Sequence, residues 1–568
     1  MATITINGKI CEFEGKKMIL QVAEENGIEI PHYCYHEGLS IVASCRICLG
    51  EVWAPNPRND NQLEPIPRLM PTCQTPAGDR QEVYTNSPKA LANQKAVMEY
   101  LLINHPLDCP ICDQAGECYL QDYSYRYGRG ESRFEEDKIK QPKKDLGENV
   151  YLYSDRCIMC TRCVRFTCEV TQTNELCVVG RGSMEQIDLF PGLALDNPMS
   201  GNVVDICPVG ALLDKDFLFK QPVWFLKATP SIDGLTAAGD NIFIHHNEGW
   251  IYRIKPRKNL NVNKWWISDE IRYGWKFVHS EDRLTNPSRL QYGDRVPTTF
   301  AKAYAEVEES LTAIAKGGGR IAALISPMIS CEEAYLVADY VRHWHEDPTQ
   351  AILGMGPVPV SGEDQIFPPG AKENDANAYT IRAEKAPNAR GVKRILKSFA
   401  GIDGKVRSDV LSYEAFLEAV KDAEAVIVTG NYPSEWVTKD LTKALARKFV
   451  VLIDTLPSEL TKKANVVLPG ATWAEKAGTF ENVNHRLQAF ERAIHPIEGT
   501  KCEGQILTDL ITLAEGKALS ESPIYNAGNI RLRMASETGL NEFISEIRMP
   551  TGESEIEGPD YEMALVEL

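Results

Sequence analysis

Twelve residues near the start of the chain have the types and spacing of metal ligands. Fourteen of its sixteen cysteines lie within the first 207 of 568 residues, and eleven of them join one histidine in three sets of four. The sets are Cys34, Cys45, Cys48 and Cys73; His105, Cys109, Cys112 and Cys118; and Cys157, Cys160, Cys163 and Cys207. In a reducing compartment, clustered CxxC spacings favour metal ligation over disulfides. Three centres in series indicate an electron path rather than a single reaction site.

The first set has the general order of plant-type [2Fe–2S] ferredoxins. In that order a CxxC pair has one cysteine before it and one far after it. Ten residues separate Cys34 from Cys45 here, whereas plant-type proteins have about four. A structural zinc site also uses four thiolates, but the irregular gaps favour a [2Fe–2S] cluster.

The second set has only three neighbouring cysteines, and a closed site needs four ligands. His105 is the nearest candidate for the fourth ligand, and Cys11 is the alternative. Three thiolates and one imidazole could hold zinc equally well, so the residues of this set do not decide between zinc and an iron–sulfur cluster. A neutral imidazole in place of a thiolate should make an iron–sulfur centre easier to reduce, as in Rieske centres.

The third set carries the strongest signal. CxxCxxC followed by a distant Cys207-Pro208 predicts a [4Fe–4S] cluster. In bacterial two-cluster ferredoxins another cysteine follows the triplet after three residues, but Thr167 occupies that position here. We therefore expect one cluster in this unit, with Cys168 and Cys177 as spare thiols.

The elements around these sets predict a multidomain α/β chain. Residues 3–6 and 10–13 alternate around Asn7-Gly8, which is a hairpin signal, and a helix is expected over residues 18–26. The expected units are 1–80 (mixed α/β, with the first set), 81–140 (helical, with the second set), 141–220 (short turns, with the third set), 221–280 (small and β-rich, without cysteine) and 281–568 (α/β).

The last unit has a strand–helix–strand pattern that implies a parallel sheet. The expected strands are 321–325, 425–428 and 450–453, and the expected helices are 332–341 and 436–447. Residues 60–71 contain three prolines, and we expect a surface loop there. Residues 354–392 are rich in glycine, proline and polar groups, and we expect a long loop or insertion.

Charge and hydropathy exclude other classes of protein. The net charge of −18 disfavours nucleic-acid binding, which depends on Lys and Arg at phosphates. No run approaches the roughly 18 apolar residues of a membrane-spanning helix. The first residues resemble neither a signal nor a transit peptide, so we expect the chain to stay where it is made or to be a mature organellar protein.

The motifs resemble those of one family, the large iron–sulfur subunit of NADH–quinone oxidoreductase, respiratory complex I. The resemblance is carried most specifically by residues 44–48, 105–118, 157–166 and 205–212. Residues 229–232, 466–475 and 478–482 are similar, more loosely, to the molybdopterin-oxidoreductase-like part of that family.

The resemblance implies a β-grasp [2Fe–2S] domain, a His/Cys-ligated [4Fe–4S] domain with His105 as a ligand, a ferredoxin-like [4Fe–4S] domain and a molybdopterin-oxidoreductase-like domain. It implies a place in the peripheral arm, beside the FMN/NADH-binding subunit and the quinone-side iron–sulfur subunits. Contact with the membrane would be indirect, on the cytoplasmic side of a bacterial inner membrane or the mitochondrial matrix side. The chain would be an electron-carrying part of an enzyme, without a complete catalytic site.

Two departures from the family matter. Some members carry a further four-cysteine [4Fe–4S] site after the third set. Residues 229–269 contain no cysteine here, so we expect that cluster to be absent. The gap between Cys48 and Cys73 is also long, with residues 53–71 as the expected insertion.

The main rival is another NAD-linked redox complex of the formate dehydrogenase or hydrogenase type. Formate dehydrogenases place a histidine after the metal ligand, whereas glutamate follows both Cys331 and Cys502. The sequence leaves open a serine as the metal ligand of such a site. Iron-only hydrogenases need more cysteines in their catalytic half than these two. No GxGxxG follows a strand, so we expect neither a flavin nor an NADH site, and no molybdenum cofactor.

A third hypothesis is an interaction protein with three structural zinc sites.

Overall fold

The computed structural model describes residues 1–402 and 411–550, and successive units of structure follow one another along the chain. Within those residues, no helix combines the length and the hydropathy that crossing a membrane requires. In the first unit the elements are β1 (Ala2–Ile6), β2 (Lys9–Phe13), α1 (Ile19–Glu25), β3 (Leu49–Asn56), β4 (Gln62–Pro65), β5 (Met70–Pro71) and β6 (Gln81–Tyr84).

The first sheet has the strand order β2-β1-β6-β3-β4, with β5 on β3. The hairpin predicted around Asn7-Gly8 is confirmed, since both residues have positive φ, 49° and 86°. β1 and β6 form a parallel pair, and α1 buries Ile19, Leu20 and Val22 against the sheet. Because β6 belongs to this sheet, the sheet extends beyond residue 80.

The prediction of a loop over residues 60–71 was wrong. β3 continues to Asn56 and turns back through Asp60 and Asn61, both in the left-handed region, into β4. Of the three prolines that suggested a loop, Pro65 lies in β4 and Pro71 in β5, two short strands that leave one edge of their backbone without a strand partner. The long gap between Cys48 and Cys73 is therefore a β-hairpin.

The next units are built from short elements around long turns. The second contains α2 (Pro88–Leu102) and α3 (Tyr119–Tyr127). The third contains β7 (Lys143–Asp145), β8 (Val150–Tyr153), α4 (Arg162–Arg165), β9 (Leu176–Val179), β10 (Gln186–Leu189), α5 (Asn202–Asp205) and β11 (Leu212–Asp214). The fourth contains β12 (Lys227–Ile232), β13 (Asn241–Asn247), β14 (Trp250–Pro256) and α6 (Asp269–Tyr273), with the three strands in one antiparallel sheet.

The last unit is a layered α/β fold. Its first elements are β15 (Ser288–Gln291), β16 (Asp294–Pro297), α7 (Phe300–Lys316), β17 (Ile321–Ile325), α8 (Cys331–His343), β18 (Ile352–Met355), β19 (Gln365–Phe367), β20 (Tyr379–Ile381) and α9 (Ala389–Ile402). The rest are α10 (Tyr413–Ala419), β21 (Ala425–Thr429), α11 (Lys439–Ala444), β22 (Phe449–Asp454), β23 (Val466–Pro469), β24 (Gly478–Glu481), β25 (Leu487–Phe490), α12 (Glu503–Ala514), α13 (Ala527–Thr538) and α14 (Glu542–Ser545).

The large sheet has the order β16-β15-β23-β22-β21-β17-β18. The three predicted strands β17, β21 and β22 run parallel, and β18 and β23 extend the parallel part on either side. The helix predicted over 436–447 is shorter, because Thr438 caps α11 and Arg447 has a positive φ of 67°. Residues 354–392 are mostly loop, but they also contain the antiparallel pair β19–β20 and the start of α9.

Candidate metal centres

The four cysteines of the first set lie on loops that meet at one end of β3. Cys48 immediately precedes β3, and Cys73 follows β5, whose Pro71 pairs with Leu49. Thr72 fixes the two loops, since its hydroxyl donates to the Cys48 carbonyl at 2.9 Å. The structure therefore brings together residues that are 25 apart in the chain.

These thiols stand in two pairs. The Cys48 and Cys73 sulfurs are 3.5 Å apart, and a hydrogen bond from Cys45 lowers the pKa of Cys34 to about 5. Cys34, Cys48 and Cys73 are buried. Across residues 1–402 and 411–550, no group of three His, Cys, Asp or Glu side chains is arranged to hold one metal ion. The sulfurs of the first set lie as two pairs, Cys34 with Cys45 and Cys48 with Cys73.

The second set is gathered around the start of α3. Cys118 is the residue before the first turn of α3, and the amides of Leu120 and Gln121 face its sulfur. Cys109 and Cys112 are joined by a single turn in which the Cys112 amide donates to the Cys109 carbonyl at 3.3 Å. Both lie within electrostatic range of Cys118.

His105 and Cys11, the two candidates for the fourth ligand, lie in different surroundings. Cys11 is buried in β2, opposite Ile4, in the core of the first unit. His105 lies within electrostatic range of Arg156, as does Cys112. Burial, followed by the charge of Arg156, lowers the pKa of His105 to about 4. Its imidazole is therefore neutral near pH 7, which is the form that binds metals.

The third set is assembled by strand pairing. β11 pairs with β8, and the Tyr153 amide donates to the Ala211 carbonyl at 2.8 Å. This pairing carries Cys207 to the Cys157–Cys163 turn. Cys160, Cys163 and Cys207 are buried, and Cys207 lies within electrostatic range of all three triplet thiols.

Main-chain amides converge on the sulfurs of the third set. Met159 and Thr161, on either side of Cys160, have positive φ of 54° and 59°, and such turns direct successive amides into one concavity that suits an anion. The Met159 amide donates to the Cys157 sulfur at 3.4 Å. Amides of residues 209, 211 and 212 face the Cys207 sulfur. Donors of this kind stabilise thiolate ligands and the charge of a bound cluster.

Arg156 and Gly210 connect the second and third sets, and no sequence pattern singled out either residue. Arg156 donates to Asp108, beside Cys109, at 2.8 Å, and to the Gly210 carbonyl at 3.4 Å. A β-carbon on Gly210 would lie 2.1 Å from the Cys112 sulfur. Glycine is thus required there because the turn after Cys207 packs directly against a thiol of the second set.

We expect Gly210→Ala to disturb the second set more than the first. The added methyl group overlaps the Cys112 sulfur, so that sulfur or the turn must move. Metal content should fall, and an EPR signal from a cluster at the second set should weaken, with that from the first set retained. Gly130→Ala is the matched control, because nothing lies within 4 Å of a β-carbon there. Equal spectra for the two variants would contradict this packing.

Arg162 and Arg165 lie inside the cysteine-rich run 157–166, but the sequence did not distinguish them from surface arginines. Both are buried, with 1% and 8% of their surface exposed. Arg165 donates to the carbonyls of Cys34 and Cys160, and Arg162 donates to the carbonyls of residues 35 and 206, each next to a cysteine of one of these sets. The one local sign of their burial was their position among the candidate ligand cysteines of the same turn.

The carboxyl ends of the parallel strands in the last unit are filled by the chain's own charged side chains. Lys476 is buried between Glu333 and Glu503, with Nζ–oxygen distances of 2.9 and 2.6 Å. A β-carbon on Gly470 would lie 2.5 Å from a Glu503 oxygen, and one on Gly430 would lie 2.1 Å from an Asp454 oxygen. These glycines give room to carboxylates at the sheet edge where doubly wound folds usually bind ligands.

Family models match successive parts of the chain. The descriptions and the residues matched are: 2Fe-2S iron-sulfur cluster binding domain, 4–78; NADH-ubiquinone oxidoreductase-G iron-sulfur binding region, 94–133; NADH-quinone oxidoreductase subunit 3, ferredoxin-like domain, 147–213; NADH-ubiquinone oxidoreductase NDSU1/NuoG-like, 4Fe-4S domain, 226–276; and molybdopterin oxidoreductase, 364–513. The first three ranges contain the three ligand sets, whereas 226–276 contains no cysteine.

Several curated proteins are similar to this chain. The 75 kDa subunit of NADH-ubiquinone oxidoreductase from Reclinomonas americana is 39% identical over 60% of this chain and 48% of its own length. The mitochondrial 78 kDa subunit from Candida albicans is 29% identical over 94% and 84%. The corresponding subunit of NADH-quinone oxidoreductase from Rickettsia felis is 36% identical over 59% and 48%. This chain thus spans about half the length of two of these relatives.

The models and the relatives agree with the sequence motifs. They support an N-terminal [2Fe–2S] domain, [4Fe–4S] regions, a ferredoxin-like domain and a C-terminal molybdopterin oxidoreductase domain in one multidomain α/β chain. The chain is therefore similar, over its successive domains, to the large iron–sulfur subunits of NADH–quinone oxidoreductase, among them the 75 and 78 kDa subunits.

Proposed function

We propose that this chain is an iron–sulfur electron-transfer subunit in the peripheral arm of NADH–quinone oxidoreductase. It relays electrons from the FMN/NADH-binding subunit toward quinone. The observation that carries the proposal is that cysteines of all three sets pack into one hydrophobic core. Bound clusters would supply one-electron carriers there. The chain holds them, excludes water from them and presents donors to their ligands.

The proposed [2Fe–2S] ligands are Cys34, Cys45, Cys48 and Cys73. A [2Fe–2S] cluster takes two protein sulfurs on each iron, and the Cys34–Cys45 and Cys48–Cys73 pairs supply two and two. A β-grasp fold for this unit is supported by the parallel β1–β6 pair, the β1–β2 hairpin and the helix α1 packed on the sheet.

The proposed [4Fe–4S] ligands form the other two sets. These are His105, Cys109, Cys112 and Cys118, and Cys157, Cys160, Cys163 and Cys207. Support for the third set comes from its buried thiols and converging amides. Support for the second comes from the three thiols gathered at the start of α3 and from the position of His105 near Arg156.

The third site is the middle of the proposed relay. Arg165 links main-chain carbonyls of Cys34 and Cys160, which belong to the first and third sites. On the other side, the Tyr119 amide donates to the Pro208 carbonyl at 3.1 Å, which joins α3 of the second site to the turn after Cys207. The hydrogen-bonded order is first, third, second, so we propose that electrons travel in that order.

The second site is the proposed exit. Cys109 is exposed, and the neighbouring Leu107 and Ile111 are 88% and 59% exposed. Exposed apolar side chains of this kind mark interaction surfaces. A quinone-side iron–sulfur subunit would dock there. The complex would place this chain on the cytoplasmic side of a bacterial inner membrane or the mitochondrial matrix side, with no direct membrane contact of its own.

We propose that the C-terminal half binds no molybdenum cofactor. A pterin dinucleotide carries phosphates, and the strand ends that would receive them present the Asp454 and Glu503 carboxylates instead. These buried side chains already fill the strand ends, which leaves the phosphates no room there. The C-terminal half then acts as a structural scaffold that keeps the molybdopterin-oxidoreductase-like fold without binding the cofactor.

The proposal is tested by isolating the native complex and measuring iron, molybdenum, tungsten, zinc and flavin. Anaerobic EPR and optical spectra should show one [2Fe–2S] and two [4Fe–4S] centres assignable to this chain, with no molybdenum or tungsten. A colourless chain holding stoichiometric zinc would replace the redox function with three structural sites. Stoichiometric molybdenum would instead favour the formate dehydrogenase type.

His105→Ala should alter one [4Fe–4S] EPR signal and leave the signals of the first and third centres intact. The reason is that His105 is the proposed fourth ligand of the second set only. The matched control is His343→Ala, because His343 is an exposed residue at the end of α8. An unchanged spectrum in His105→Ala would assign the fourth ligand to another residue.

A further inference from the structure

Two arginines on one short helix turn are buried between the first and third sites. Arg162 and Arg165 begin and end α4, directly after Cys160. They are 1% and 8% exposed, although arginine is almost never fully buried unless it is paired. The buried charge of Arg165 therefore needs negative charge nearby, and Glu169 supplies part of it.

Arg165 donates hydrogen bonds to three main-chain carbonyls. Its Nη2 reaches the carbonyls of Cys34 and Cys160, at 2.5 and 3.3 Å, and its Nη1 reaches the Ser40 carbonyl at 2.5 Å. Cys34 is a thiol of the first set and Cys160 a thiol of the third. One guanidinium thus touches the backbone of a candidate ligand on each side.

Arg162 repeats this bridge one turn earlier. Its Nη1 donates to the Ile206 carbonyl, next to Cys207, at 3.3 Å, and its Nη2 donates to the Tyr35 carbonyl, next to Cys34. Both arginines therefore join the Cys34–Tyr35 segment to the third site. Glu169, on the following turn, binds the amide and hydroxyl of Ser40, at 2.8 and 2.5 Å, and lies within electrostatic range of Arg165.

Carbonyl dipoles satisfy the donors of a guanidinium but carry no net charge. A buried cation remains costly unless negative charge lies nearby. A cluster ligated by four thiolates is anionic and gains one further negative charge on reduction. A fixed cation between two such sites stabilises the reduced state of each, and the low dielectric of the interior strengthens the effect.

We propose that Arg165, supported by Arg162, is a positioning residue that raises the reduction potentials of both the first and the third centre. This inference rests on the proposed function. The transfer moves one electron from the first site to the third, with no bond or proton exchanged. The guanidinium therefore acts on the charge states of the two sites and on the hydrogen bonds that hold their loops together.

The test is an EPR redox titration of the full chain in its complex, comparing the unaltered protein with Arg165→Met and Arg165→Lys. Arg165→Met removes the charge and should lower both midpoint potentials. The expected change is about tenfold in each reduction equilibrium, which is about 59 mV for one electron. Arg165→Lys keeps the charge and should shift them less. The second centre, without a bond to Arg165, should change less than either.

Arg126→Met is the matched control. Arg126 pairs with Glu29 at 2.6 Å, but its side chain is 57% exposed, so solvent screens its charge. Unchanged potentials in Arg165→Met, or equal shifts in Arg165→Met and Arg165→Lys, would overturn the inference. If Arg165→Met does not assemble, Arg162→Met tests the same bridge: lowered potentials support it and unchanged potentials overturn it. Absence of iron–sulfur signals in the unaltered protein would defeat the proposed function itself, before any variant is compared.

Discussion

Cys207→Ser should abolish the third centre and stop electron flow from NADH to quinone in the assembled complex. Cys207 is the only member of its set that does not lie in the triplet, and strand pairing brings it there. Its sulfur is surrounded by the amides of residues 209, 211 and 212. Serine offers a shorter, harder oxygen to a site built for a thiolate. Because the third site lies between the other two, its loss interrupts the whole relay.

The effect should be at least about 100-fold in NADH–quinone activity, since losing even a group that supports a ligand costs about 10- to 100-fold. The matched controls are Cys168→Ser and Cys177→Ser, which remove the two expected spare thiols of the same unit. EPR should show the first centre still reducible by NADH in Cys207→Ser. Full activity in that variant would remove Cys207 from the ligand set.

Lys476→Met should be the most destabilising single change in the C-terminal half. Lys476 is 2% exposed and is paired with Glu333 and Glu503, which are both 0% exposed. Methionine fills a similar volume but leaves two buried carboxylates without their cation. Removing one partner of a buried ion pair costs about 3–5 kcal/mol. The urea midpoint of the C-terminal half, followed by tryptophan fluorescence, measures the loss.

Lys462→Met is the matched control for Lys476→Met. Lys462 pairs with Glu459 at 2.8 Å, but the two side chains are 73% and 53% exposed, and such pairs contribute at most about 1 kcal/mol. Adding Glu333→Gln and Glu503→Gln to Lys476→Met should recover part of the stability. A loss in Lys476→Met no larger than in the control would show that the carboxylates are compensated by other groups.

The loss should also depend on pH. Burial raises the pKa of Glu503, and the charge of Lys476 counters only part of that shift. A carboxyl group with a raised pKa in the folded state contributes stability at low pH, and this contribution is lost as pH rises through the folded pKa. Removing Lys476 enlarges the shift. The destabilisation caused by Lys476→Met should therefore stay nearly constant between pH 5 and pH 7 and grow above about pH 8, the folded pKa of Glu503 in the unaltered protein.

The local signals in the sequence were sufficient for the N-terminal hairpin and for three buried strands of the C-terminal half. The apolar runs 321–325 and 450–453 are buried strands, since a strand covered on both faces needs apolar side chains at every position. The loop expected over 60–71 failed because the prolines there are compatible with edge strands, which only the pairing partner reveals. The helix over 436–447 was too long because its periodic pattern does not show where Thr438 caps it.

By itself, the sequence predicted the kinds of ligand, their grouping into three sets and the resemblance to the large iron–sulfur subunit of NADH–quinone oxidoreductase. These properties are local, because CxxC spacings place thiols on one turn whatever the rest of the chain does. The tertiary structure decided how the sets are arranged. Pairing of β8 with β11 carries Cys207 to its set. Gly210 then sits against Cys112, and Arg165 reaches from Cys160 to Cys34. Those contacts join residues about 50 to 130 apart in the chain, and no local spacing encodes them.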